Sequence, residues 1–122
     1  MLKFGHTPEK WDAAKCEATS AMIAAAKAES IITYSDLCRR IISIEFSPHD
    51  SSLHSLLGEI SIEQNSSNYG MLSAVVVLKN GEKRPGAGFY TLAEELGRDT
   101  SDQLKLWVDE LHKVYKHWSV NS

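Results

Sequence analysis

The stretch MLSAVVVL, Met71–Leu78, carries no charged side chain. A run this short, this apolar and this rich in β-branched valine predicts a buried strand. Val75 and Val77 then fall on one side and Ala74 and Val76 on the other, because strand residues alternate. The polar segment KNGEK follows and holds Asn80-Gly81, the strongest short hairpin signal. Phe89 and Tyr90 begin the predicted return strand. The exposed tip between them carries Lys79, Lys83 and Arg84.

Helical signals surround this hairpin. Thr7 is a good N-cap and Pro8 fits the first helical position. Trp11, Ala14, Ala18, Met22 and Ala25 share one face of the helix they open, which should end near Glu29–Ser30. Ile31–Tyr34 reads as a short strand. Ser35 is placed to cap the next helix, with Leu37, Cys38, Ile41 and Ile42 inward and Arg39 and Arg40 near its end, where they suit the helix dipole. A further helix starts from Ser47–Pro48 or from Asp50, with Leu53, Leu56, Leu57 and Ile60 on one face. Gly58 within it suggests a helix end or a close backbone approach, since glycine costs a helix about 1 kcal/mol against alanine. EQNSSNYG, Glu63–Gly70, reads as a loop. TLAEELG reads as a short helix stopped by Gly97. In the last helix Thr100 and Gln103 suggest a capping box. Leu104, Trp107, Val108, Leu111, Val114, Tyr115 and Trp118 form its apolar seam.

The expected fold is α+β in a single domain, 1–122: a winged helix-turn-helix-like core with an N-terminal helix and a C-terminal helical pair. A chain of 122 residues with 43% hydrophobic residues suits one core without staples. The net charge of −3 counts against a protein that coats DNA without specificity. Cys16 and Cys38 form no CxxC and read as reduced thiols in a cytoplasmic protein. No signal peptide or membrane span is expected.

Between Ile31 and Tyr90 the chain resembles the C-terminal domain of O6-alkylguanine-DNA alkyltransferases and the alkyltransferase-like proteins. TYSDLC, Thr33–Cys38, resembles the family's TYGxLA opening of a helix. LLG, Leu56–Gly58, resembles the end of its recognition helix, and GAGFY, Gly86–Tyr90, its element after the wing. The resemblance implies a winged-helix scaffold and places Tyr34 at the tyrosine that helps rotate a flipped nucleotide. Where the family has PCHR this chain reads LSAVVV, so no nucleophilic cysteine is present there and alkyl transfer is not implied. Ser55 stands at the family's intercalating arginine. The LSA-V-V…PG-GF pattern is also similar to that of small bacterial proteins.

The remaining chemistry is sparse. A reactive cysteine needs a depressed pKa, and Cys38 sits in an apolar set with Leu37 and Ile41. His49 and His54 are five apart, as are His112 and His117, whereas ligands sharing a helix face want three or four. Asp50 or Glu59 could join His49 and His54, but no spacing rule selects them, so no metal and no cofactor are expected. Glu94–Glu95 and Glu59–Glu63 read as solvated acidic faces. No P-loop, dinucleotide fingerprint or nucleophile elbow occurs.

A non-enzymatic binding module is therefore expected. For DNA or RNA the candidates are Tyr34, Arg39, Arg40, Ser51, Ser52, Ser55, Lys79, Lys83 and Arg84. The obstacle is the 47–64 helix, which has no lysine or arginine but carries Asp50, Glu59 and Glu63. A protein partner is nearly level, with Asp50, His54, Glu59 and Glu63 contacting a basic surface as an immunity-type inhibitor would, or with the aromatic last helix as the interface. A homodimer is compatible with either.

Overall fold

A computed structural model describes residues 4–78 and 84–120. The described chain is mostly helical, with one small parallel sheet. In order it runs α1 (Pro8–Lys27), β1 (Ile32–Thr33), α2 (Tyr34–Arg40), α3 (Ser51–Ser66), a 3-10 turn (Leu72–Val75), β2 (Val76–Val77), α4 (Ala87–Glu95) and α5 (Gln103–Val120). The expected α+β class, N-terminal helix and C-terminal helical pair are all present. β1 and β2 pair in parallel, Ile32 with Val76 and Thr33 with Val77.

The run Met71–Val77 is buried throughout, as its composition predicts. It is strand for only two residues, because Leu72–Val75 first make a 3-10 turn. α1, α3 and α5 all pack against that turn. α1 lies across it on alanines, with Ala14, Ala18 and Ala26 fully buried. Small side chains let helices approach closely, and Trp11 and Met22 fill the space at their flanks. Leu53, Leu56, Leu57 and Ile60 supply the α3 face, each adding roughly 1.5–3 kcal/mol of burial.

Several local expectations are corrected. The α2 cap is Thr33, whose hydroxyl accepts the Asp36 N–H, and not Ser35. Ile42 is 84% exposed instead of inward, because α2 ends at Arg40. α3 runs through Gly58 and on to Ser66, absorbing half of the expected loop. It stops where Asn68 takes a positive φ of 64° and the Tyr69 N–H bonds back to the Gln64 carbonyl. Asn is one of the few non-glycine residues that tolerate this conformation. α5 is capped by Asp102, which accepts the Lys105 N–H, while Thr100 bonds Glu94. Its buried face is Leu106, Glu110, Leu111 and Val114, and Leu104 is 66% exposed.

The largest correction concerns the return strand. Phe89 and Tyr90 lie in helix α4, not in a strand. Aromatic residues favour strands, but here Phe89 and Ala93 sit four apart and are buried together, as helical spacing requires. Gly97, at φ 90°, ends α4, and the Arg98 N–H reaches back to the Ala93 carbonyl. The expected wing tip, with Lys79 and Lys83, lies outside the described residues. Its base is closed by a hydrogen bond from the Leu78 N–H to the Arg84 carbonyl at 2.9 Å.

A buried ion pair ties the C-terminal half together. Glu110 is 5% exposed and accepts the Met71 N–H and the Arg98 guanidinium. Arg98 also donates to the Asn65 side chain at 2.7 Å. One node therefore joins the ends of α3 and α4, the middle of α5 and the start of the buried run.

Candidate functional site

α3 and α4 diverge to leave a cleft of about 290 Å³. Its walls include Tyr34, His54, Ser73, Phe89, Leu92 and Glu95. The volume lies just below the usual range of small-molecule sites, about 300–1,000 Å³.

Each wall has a local cause. Tyr34 is the first residue of α2, so the Thr33 cap sets its position, and its ring is buried. Its hydroxyl accepts the Gly86 N–H at 3.4 Å. Burial pushes the Tyr34 phenol above its ordinary value, with the Gly86 bond working weakly against that, so it stays protonated at neutral pH. An added Cβ on Gly86 would lie 3.3 Å from the Tyr34 hydroxyl, so glycine permits this approach. His54, on the first turn of α3, lies over Tyr34 with ring centroids 5.4 Å apart and planes tilted by 52°.

Ser73 closes the floor. The buried Ser61 hydroxyl donates to Ser73 Oγ at 2.6 Å and accepts the Ser73 N–H at 3.1 Å. That exchange leaves the Ser73 hydroxyl hydrogen free to donate elsewhere. Glu95 stands on the α4 side, exposed, and forms no ion pair with any described residue. Ser73 and Glu95 were not anticipated as site residues. For Glu95 a signal existed: Gly88, Thr91, Leu92 and Glu95 recur at helical spacing, and all four line the cleft.

The structure brings only some of the expected residues together. Tyr34 and His54 share the cleft. Ser51 and Ser55 are exposed one turn apart on α3, and Ser52 is half-buried. Arg84 is exposed two positions before Gly86, and its charge reaches Tyr90, whose phenol burial pushes up and Arg84 pulls down. Arg39 and Arg40 line a different, larger groove of about 530 Å³ between α1 and α2, walled by alanines of α1. Arg39 is paired there with Asp36.

The acids of α3 are committed elsewhere. Glu59 accepts the Trp11 indole N–H at 3.1 Å, and Lys15 bridges Glu59 and Glu63 at 3.2 and 2.7 Å. Burial works against the Lys15 charge, but Glu63 and Glu59 outweigh it and hold its pKa above the ordinary value. Asp50 accepts the Ser47 N–H at 2.8 Å. Lys15 thus offsets part of the negative charge expected to repel nucleic acid, while the Glu63 side chain stays 61% exposed.

Cys38 is half-buried, and burial followed by the Asp50 charge pushes its thiol up, away from nucleophilic reactivity. Among the described residues no three His, Cys, Asp or Glu side chains gather to hold a metal ion, and no helix is long and apolar enough to cross a membrane. Compared with known protein families, curated proteins and solved structures, the chain matches none.

Proposed function

We propose that this chain is a non-enzymatic nucleic-acid-binding module that takes one unstacked base into the Tyr34–His54 cleft. On this reading α2 and α3 act as in a winged helix, and α4 stands where the return strand was expected. The observation that carries the proposal is the pairing of Glu59 and Glu63 with Lys15. The outward start of α3 carries Ser51, Ser55 and His54, hydrogen-bonding groups next to the Asp50 cap, with His54 lining the cleft. Hydroxyls and imidazole at such a position contact phosphates and base edges, while the exposed His54 ring, lying over the buried Tyr34, offers a face on which a base can stack. Arg84, exposed two positions before Gly86, supplies a cation on the segment whose Gly86 N–H bonds Tyr34. Tyr34 also falls on the nucleotide-rotating tyrosine of the family that Thr33–Cys38 resembles.

The test is fluorescence anisotropy with labelled single strands and with duplexes carrying one unpaired base. Affinity should fall as salt rises. Arg84→Ala should flatten the salt slope by about 0.7 for a single strand, the loss of one phosphate contact. Absence of binding to any oligonucleotide at low salt and at roughly 10⁻⁴ M protein, the weak end of non-specific affinity, would sink the proposal.

A protein partner is the second reading, and one observation favours it. Ile42 is 84% exposed, and its N–H bonds Glu17, which lines a second groove of about 370 Å³ with Cys16 and Arg40. Such a face suits a homodimer or a protein partner. Sedimentation velocity should then show self-association that Ile42→Glu abolishes, and a monomer at all concentrations excludes the homodimer.

A further inference from the structure

We infer that Glu95 makes the cleft select bases that carry an exposed amino group, and reject thymine and uracil. The inference rests on the nucleic-acid reading above. It starts from an anomaly of charge: a carboxylate at the mouth of a site for a polyanion works against binding, unless it meets hydrogen-bond donors on the ligand.

Each polar group of the cleft has a definite capacity. The Thr91 hydroxyl already donates to the Ala87 carbonyl at 3.3 Å. Tyr34 Oη accepts the Gly86 N–H, and Ser73 Oγ accepts the Ser61 hydroxyl, so each of these hydroxyls has its own hydrogen left to give. Glu95 can only accept. It is the one carboxylate among the described residues lining the cleft. The lining therefore combines hydroxyl donors from Tyr34 and Ser73 with one acceptor-only group, Glu95.

A base edge that offers N–H groups to Glu95 and an acceptor to the hydroxyls meets that pattern. Guanine presents N1–H and N2–H₂ beside O6, so a carboxylate can take two donors at once. Cytosine and adenine each present one amino group beside ring-nitrogen acceptors. Thymine and uracil flank their single N–H with two carbonyl oxygens, which Glu95 would face lone pair to lone pair. A good bidentate contact is worth about 1–3 kcal/mol of discrimination. That corresponds to roughly 5- to 150-fold, with guanine strongest and uracil weakest.

The probes are five single strands of one sequence, differing only at a central position held by guanine, inosine, cytosine, uracil or adenine. Wild-type protein should prefer guanine over inosine, which lacks the 2-amino group, and cytosine over uracil, each by roughly tenfold, within the range for one base contact. Glu95→Gln keeps the size but both donates and accepts. It should bring the five strands to within about threefold of one another and bind uracil more tightly than wild type does, because the repulsion is gone. Glu95 is exposed on α4, so the variant should fold, which circular dichroism checks. Equal binding of all five by the wild type, or an unchanged preference in Glu95→Gln, overturns the inference and leaves the nucleic-acid reading standing. No binding to any strand overturns both.

Discussion

Replacing Arg98 with methionine tests whether the buried Glu110 node holds the C-terminal half in place. Methionine approximates the arginine stem but removes the guanidinium. The change deletes donors to Glu110 Oε1 at 2.8 Å, to Glu110 Oε2 at 3.3 Å and to Asn65 at 2.7 Å. Two of these are short and charge-assisted, worth about 1.5–3 kcal/mol each. Glu110, with a side chain 6% exposed, is left with the Met71 N–H as its one remaining partner among the bonds described. Removing one partner of a buried pair costs about 3–5 kcal/mol, because the other charge stays out of water. Against a total of roughly 5–15 kcal/mol this is a large loss, visible as a lower urea midpoint at constant slope. Glu110→Gln, which keeps an acceptor for the Met71 N–H, should cost less. The double variant should be more stable than Arg98→Met alone, since no charge is then stranded. If Arg98→Met costs under about 1 kcal/mol, or if the two changes simply add, the pair is not a buried unit and the argument fails.

Three further outcomes follow from backbone and charge. Gly70 has φ 89°, and an added Cβ would lie 3.2 Å from Val114 Cγ2, so Gly70→Ala should destabilise by about 1–3 kcal/mol in urea unfolding. Gly58 lies inside α3 with only Leu92 at 4.0 Å from the added atom, so Gly58→Ala should instead stabilise by about 0.5–1 kcal/mol. Opposite signs for two glycines are the expected outcome, and equal signs would refute it. Glu17 accepts the Ile42 and Ser43 N–H groups and the Ser43 hydroxyl, and these bonds, Ser43 foremost, hold its pKa below the ordinary value. Its stabilisation is therefore fully present above the unfolded pKa, near 4.3, and is lost as pH falls through the folded value. Stability measured from pH 7 down to pH 3 should fall less steeply in Glu17→Gln than in wild type.

The candidate site was legible to different depths. Tyr34 and His54 could be named from sequence as residues of interest, but nothing local says that their rings meet across α2 and α3. The acidity of α3 reads as an obstacle to nucleic acid, and the cation that offsets part of it, Lys15, is not seen locally because it lies 44 positions from Glu59. Ser73 sits in an apolar run and reads as filler until Ser61 is seen to occupy one side of its hydroxyl. The return strand failed for a related reason. Phe89 and Tyr90 carry strand propensity, yet Ala87–Glu95 also holds good helix formers, and burial of Phe89 with Ala93 decided between the two.

The amino-acid sequence by itself determined what short-range physics controls. Thr7 and Pro8 start α1, Leu53, Leu56, Leu57 and Ile60 face α3 inward, Gly97 ends α4, and Met71–Val77 is buried. These outcomes depend on capping hydrogen bonds, helical period and the absence of charge, all written within a few residues. The tertiary structure alone decided the parallel pairing of Ile32 with Val76, the turning of Glu59 and Glu63 onto Lys15, the burial of Glu110 against Arg98, and the cleft between α3 and α4. Each of these joins groups far apart in the chain, and a contact between distant residues has a free energy only once packing has brought them within a few ångströms.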